Sequence, residues 1–153
     1  MTQEEKDLLL KDLCSRLPYK VKCDIGDSKS YTLSSVRNDY CDGILIGFEE
    51  QKNGFNMEVY LSEVKPYLFP LSSMTEEQKE ELYIVTNGKF NANYKYIDNC
   101  KPRNWSEWGT TEYNWIRHYD IDLLHTWLNK NHFDYRDLIP MGLANDATGL
   151  NIY

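Results

Sequence analysis

The chain has 153 residues, of which 41% are hydrophobic and 27% charged, with a formal net charge of −7 at pH 7. Those values suit one globular domain around a single core and exclude a disordered or collagen-like chain. The acidic balance argues against broad phosphate-backbone binding, which needs clustered Lys and Arg, and leaves room for an acidic surface that competes for a basic partner.

Thr2 and Glu5 form a capping-box pattern that opens a helix running to about Leu17. Leu9, Leu10, Leu13 and Leu17 make its apolar stripe, and Pro18 ends it. Tyr19, Val21, Cys23 and Ile25 then alternate with Lys20, Lys22 and Asp24, which predicts a half-buried strand. Gly26-Asp27-Ser28 turns the chain toward a weaker second strand with Tyr31, Leu33 and Val36.

Ile44 to Phe48 is a short apolar run that predicts a central strand. Asn53-Gly54 supplies a hairpin turn, and Phe55, Met57, Val59 and Leu61 mark the returning strand. Val64 to Leu71 contains Pro66 and Pro70, each lacking a ladder donor, so it reads as an extended segment covering a sheet edge rather than a central strand. Thr75 and Gln78 cap a second helix from Glu76 to about Ile84.

Residues 87–118 are rich in aromatic and polar side chains. Tyr94, Tyr96 and Ile97 suit a strand, Asn99 to Gly109 a loop, and Tyr113 to Ile116 a last strand. A third helix follows, with Asp120 as its cap, Ile121, Leu124, Trp127 and Leu128 as its apolar face, and Asn129 and Asn131 at its stop. His132 to Ala144 is too apolar for a loose tail and is expected to dock back on the body. The expected architecture is α+β: a small antiparallel sheet with a hairpin at Asn53-Gly54, packed by an N-terminal, a middle and a C-terminal helix. It reads as a single domain over 1–153, and a division would fall near Ser72-Ser73.

Reactive groups are scattered. Cys14, Cys23, Cys41 and Cys100 show no C-x-x-C spacing and read as free thiols; Cys41 has no neighbouring cation to activate it. His118, His125 and His132 recur every seven residues, but seven residues rise about 10.5 Å along a helix, too far for one ion. Asp39 and Asp42 flank a turn. Asp122 and His125, three apart on the third helix, are the one carboxylate–imidazole pair on a predictable element and the candidate centre of a hydrolase. His132 with Asp134 reads as an Asx-type turn rather than a dyad. No metal and no cofactor is expected.

The aromatic stretch carries the positive hint. Trp105, Trp108, Tyr113 and Trp115 stand among Lys101, Arg103 and Arg117. Aromatic rings beside cations suit a protein interface, or the stacking of a nucleotide or single-stranded nucleic acid, or a small second core.

Three segments carry a resemblance: Val64 to Glu77 (VKPYLFPLSSMTEE), Trp127 to Ile139 (WLNKNHFDYRDLI), and Met1 to Lys6 continuing through Leu17-Pro18-Tyr19. They resemble an uncharacterised family of small proteins from gut Bacteroides-type bacteria and their phages. The likeness covers the two ends and the middle join and leaves out the stretch from about Tyr83 to Tyr119. Phe69 and Asp137 stand where that family has Arg and Gly. The resemblance implies a phage, prophage or conjugative setting and assigns no catalytic residue.

No apolar run nears the roughly 20 residues of a membrane span, and Glu4 and Glu5 stand where a leader would be basic. The expectation is therefore a cytoplasmic, non-enzymatic interaction protein binding a host protein. Nucleotide or nucleic-acid binding through 90–117, and hydrolysis at Asp122 and His125, are the alternatives.

Overall fold

The computed structural model describes residues 1–27, 29–39, 43–49, 57–86 and 118–153, with side chains from residue 122 onward in the last stretch. Their contacts form two compact units: Met1–Leu68 with Leu138–Tyr153, and Phe69–Asp137. The class is α+β, as expected, with three α-helices among the described residues.

The first unit begins with helix α1, Gln3–Arg16. Glu5 N–H donates to Thr2 Oγ1 at 3.2 Å and Thr2 N–H to Glu5 Oε2 at 2.6 Å, the reciprocal bonds of a capping box. Leu9 and Leu13 are fully buried, while Leu10 and Leu17 pack at the edge of the same core. A short 3-10 turn, Leu17–Tyr19, follows, and Lys20 takes a left-handed conformation at φ 54°. The alternation read from Tyr19 onward is therefore shortened to strand β1, Lys22–Asp24, with Val21 and Cys23 facing the core.

Strand β2, Tyr31–Asp39, is the longest described strand, not the weak one that its mixed composition suggests. Its partner is β3, Gly43–Phe48, antiparallel, and β3 pairs in turn with β4, Glu58–Tyr60. The Asn53-Gly54 turn lies outside the described residues. The returning strand is shorter than expected because Leu61 already starts a 3-10 turn, Leu61–Glu63. Ser34 is the extra residue of a bulge, since Leu33 pairs with Phe48 and Ser35 with Gly47. A Cβ at Gly47 would lie 2.2 Å from Ser35 Oγ, so a larger residue there would force that hydroxyl into another rotamer.

Strand β5, Lys65–Pro70, corrects the reading of an edge-covering segment. Cys23 and Asp24 pair antiparallel with Pro66 and Lys65. Tyr67 and Leu68 pair parallel with strand β7, Asn145–Asp146. The prolines are tolerated because each pairing is two residues long and the partner strand changes along β5. No long ladder runs through either of them. The strand order of the unit is β4-β3-β2-β1-β5, and β7 makes the sheet mixed rather than purely antiparallel. Leu138, Leu143 and Ala144 return to the core holding Leu9, Leu13, Val21, Leu33, Ile46, Phe48 and Leu68. A buried leucine of this kind contributes roughly 2 kcal/mol.

Within that core, Arg16 Nε donates to Asp12 Oδ2 at 2.7 Å, and both side chains are fully buried. The i, i+4 spacing brings them together on one face of α1.

In the second unit, the last residues of β5 pair parallel with strand β6, Phe133–Asp134. A 3-10 turn, Leu71–Ser73, leads to helix α2, Glu76–Val85, capped reciprocally by Thr75 and Gln78 as expected. Helix α3 is His118–Lys130. It starts two residues before Asp120, which therefore lies in the first turn and is not the cap. An acid is favoured at both places, so residue type does not separate them. Met74, Leu82, Leu124, Trp127, Leu128, Phe133 and Tyr135 form the core of this unit. The strands expected at Tyr94–Ile97 and Tyr113–Ile116 lie outside the described residues. No described helix is long and apolar enough to cross a membrane.

Asp12→Ala should cost about 3 to 5 kcal/mol in urea unfolding, because it leaves a guanidinium buried without its carboxylate; Asp12→Leu with Arg16→Met should cost far less. A loss below 1 kcal/mol for the single variant would show that the pair is not desolvated.

Candidate functional site

Trp105, Trp108, Tyr113, Trp115, Lys101, Arg103 and Arg117 lie outside the described residues, as do Cys41, Asp42 and Cys100. The remaining candidates fall on described elements and can be placed.

Helix α3 turns Leu124, Trp127 and Leu128 into the second unit's core. Asp122, His125 and Asn129 share its other face by their spacing of three and four. Asp122 is exposed, His125 half-buried and Asn129 buried. The His125 ring stacks on Tyr135 with centroids 5.0 Å apart and planes 21° apart. The Arg136 guanidinium carbon lies 4.5 Å from the centre of the same Tyr135 ring. Trp127 stacks on Phe133 at 5.7 Å, with the two planes 8° apart. The imidazole thus serves as one plate of an aromatic stack.

His132 follows the helix in the left-handed region at φ 58° and is buried. Its N–H donates to Asn129 O, and Asn131 Nδ2 donates to Trp127 O, which covers carbonyls left open by the helix end. Arg136 N–H donates to Asp134 Oδ1 at 3.3 Å. That is the Asx-type turn expected from the spacing. Asp137 is again left-handed, at φ 59°.

The cysteines divide by exposure: Cys14 is exposed and Cys23 buried. Burial pushes the Cys23 thiol well above its ordinary value. The Asp12 charge adds to that, and Arg16 pulls the other way. A thiol held neutral in this way is a poor nucleophile. Asp27 accepts from Tyr31 Oη at 2.5 Å, and this bond holds the Asp27 carboxyl below its ordinary range. Among the described residues, no group of three or more His, Cys, Asp or Glu could hold a metal ion.

One arrangement escapes the motif search. On α2, Glu76, Glu80 and Tyr83 follow at intervals of four and three, and Glu77, Glu81 and Ile84 do the same beside them. These two rows form one outward face, and all six side chains are exposed. Ile84 is 65% exposed and Tyr83 41%. Leu82, on the opposite side, is fully buried. The signal lay in the doubled Glu-x-x-x-Glu spacing, which capping alone does not require.

Comparison with family models, with curated proteins and with solved structures finds no match for this chain.

Asp137→Gly should leave stability within about 0.5 kcal/mol of the parent, whereas Asp137→Val should cost about 1 to 2 kcal/mol because a β-branched side chain opposes the left-handed backbone. Thermal unfolding of the two variants checks this. Equal values would contradict a left-handed residue at that position.

Proposed function

We propose that this chain is a cytoplasmic, non-enzymatic interaction protein that binds a host protein in a phage or prophage setting. The observation that carries the reading is the outward face of α2, where Tyr83 and Ile84 stand in solvent among four glutamates. Exposed apolar side chains that the core does not use are what a partner surface takes up. The described reactive groups support the same reading. Asp12 is committed to Arg16 in the interior, Cys23 is held as a neutral thiol, His125 is stacked on Tyr135, and Asp134 closes a turn.

The mobile-element setting rests on the resemblance of Val64–Glu77 and Trp127–Ile139 to the Bacteroides-type family. The backbone at Asp137 supports it in one particular. That position is left-handed, and the family pattern has Gly there, the residue that adopts this conformation without strain.

The tagged full chain, immobilised at micromolar concentration, should retain a specific protein from the lysate of a gut Bacteroides-type bacterium and not from an unrelated one. Retention of nothing above background from either lysate would remove the reading.

A further inference from the structure

The α2 face has a chemistry of its own. Glu76 pairs with Lys79, while Glu77, Glu80 and Glu81 form no ion pair among the described residues. Glu76 with Glu80, and Glu77 with Glu81, are like charges at i, i+4, an arrangement that weakens a helix. Acids in the first turn help the helix dipole, but Glu80 and Glu81 lie beyond it. Glu80 and Glu81 are therefore acids that neither the cap, the dipole nor an ion pair of the helix uses. Opposing cations would relieve that repulsion. At the C-terminal end of the same face stand Tyr83 and Ile84, so the surface is acidic over its first two turns and apolar at its tip, over about 12 Å.

We infer that this face docks on a Lys- and Arg-rich protein surface containing an apolar pocket. Ile84 and Tyr83 enter the pocket, and Glu76, Glu77, Glu80 and Glu81 meet the cations around it. The inference rests on the interaction reading above and names the surface and the partner's chemistry. Phosphate backbones and anionic lipid headgroups are repelled by the same four carboxylates, so the complement is a basic protein.

The test uses the full chain and two labelled peptides of equal length, one alternating Lys and Leu, the other all Lys, followed by fluorescence anisotropy at low salt. The alternating peptide should bind more tightly than the all-Lys peptide. Glu80→Lys with Glu81→Lys should weaken its binding about tenfold or more, and Ile84→Ser, which leaves the charge alone, about fivefold. The double reversal places Lys four residues after Glu76 and Glu77, which favours the helix, so loss of folding does not explain the result. The matched reversal Glu4→Lys with Asp7→Lys on α1 should leave binding near the parent value. Equal loss in that control would reduce the effect to net charge and overturn the proposal, as would parent-like binding by the α2 variants or no binding by the parent. Self-association of the parent that Ile84→Ser abolishes would put a second copy on the face and also overturn it. If the α2 variants still retain a host protein that the parent retains, the interaction reading stands and the α2 assignment falls. A parent that retains no host protein removes that reading, while the peptide titration still judges the face.

Discussion

In the first unit one hydroxyl bridges β1 and β5 where their ladder ends. Tyr153 Oη accepts from Lys22 N–H at 3.1 Å and donates to Tyr67 O at 2.6 Å. Lys22 and Tyr67 are the next pair along the β1–β5 ladder after Cys23–Pro66, and Pro66 has no N–H to bond with. The hydroxyl continues the ladder where the two strands no longer pair directly. Partial burial pushes this phenol above its ordinary value, and a phenol is a donor at neutral pH in any case. The segment that ends in Tyr153 also contributes Ala147 N–H to Leu68 O at 2.8 Å and Asn145 Nδ2 to Asp24 Oδ2 at 3.1 Å. Residues far apart in sequence thus complete one sheet. The order of elements along the chain does not show this, because the second unit lies between them.

The cost of the buried Asp12–Arg16 pair makes sense beside that closure. Two charges in an apolar interior contribute little net stability when paired and cost a great deal when one is lost. Both side chains belong to α1, so the pair moves with the helix, and its cost is felt only when one partner is removed. The same pair shapes the surroundings of Cys23, whose thiol stays neutral. The interior of the first unit is thereby committed to structure. The second unit differs. Its aromatic stacks fix α3 against β6, while α2 keeps one face out of the core and carries Glu80 and Glu81 there, beyond the first turn.

Much of the fold could be read from local signals. Thr2 with Glu5, and Thr75 with Gln78, announce both helix starts because reciprocal capping bonds depend on residues three apart. The stripe of Leu9 and Leu13 and the apolar run Ile44 to Phe48 find their places through burial alone. What escaped was non-local. The length of β2 comes from β3 pairing along it, not from its own Ser, Asn and Asp residues. The internal place of β5 depends on three two-residue pairings with three different strands. The two-residue strands β6 and β7 are too short for any periodicity to show. For the candidate site, the Asx turn at Asp134 was legible from spacing. The stacking of His125 on Tyr135 was not, since nine residues, a left-handed His132 among them, separate the two rings. The α2 face was visible in the letters but was masked by its reading as a capped helix.

Hydrogen exchange at the Lys22 amide, compared between the parent and Tyr153→Phe, tests the closure most directly. With the hydroxyl gone, that half-buried donor loses its acceptor, and its protection should fall by at least about fivefold, equivalent to about 1 kcal/mol. Unchanged protection of Lys22 in the variant would show that the β1–β5 edge closes without Tyr153 and would contradict the account.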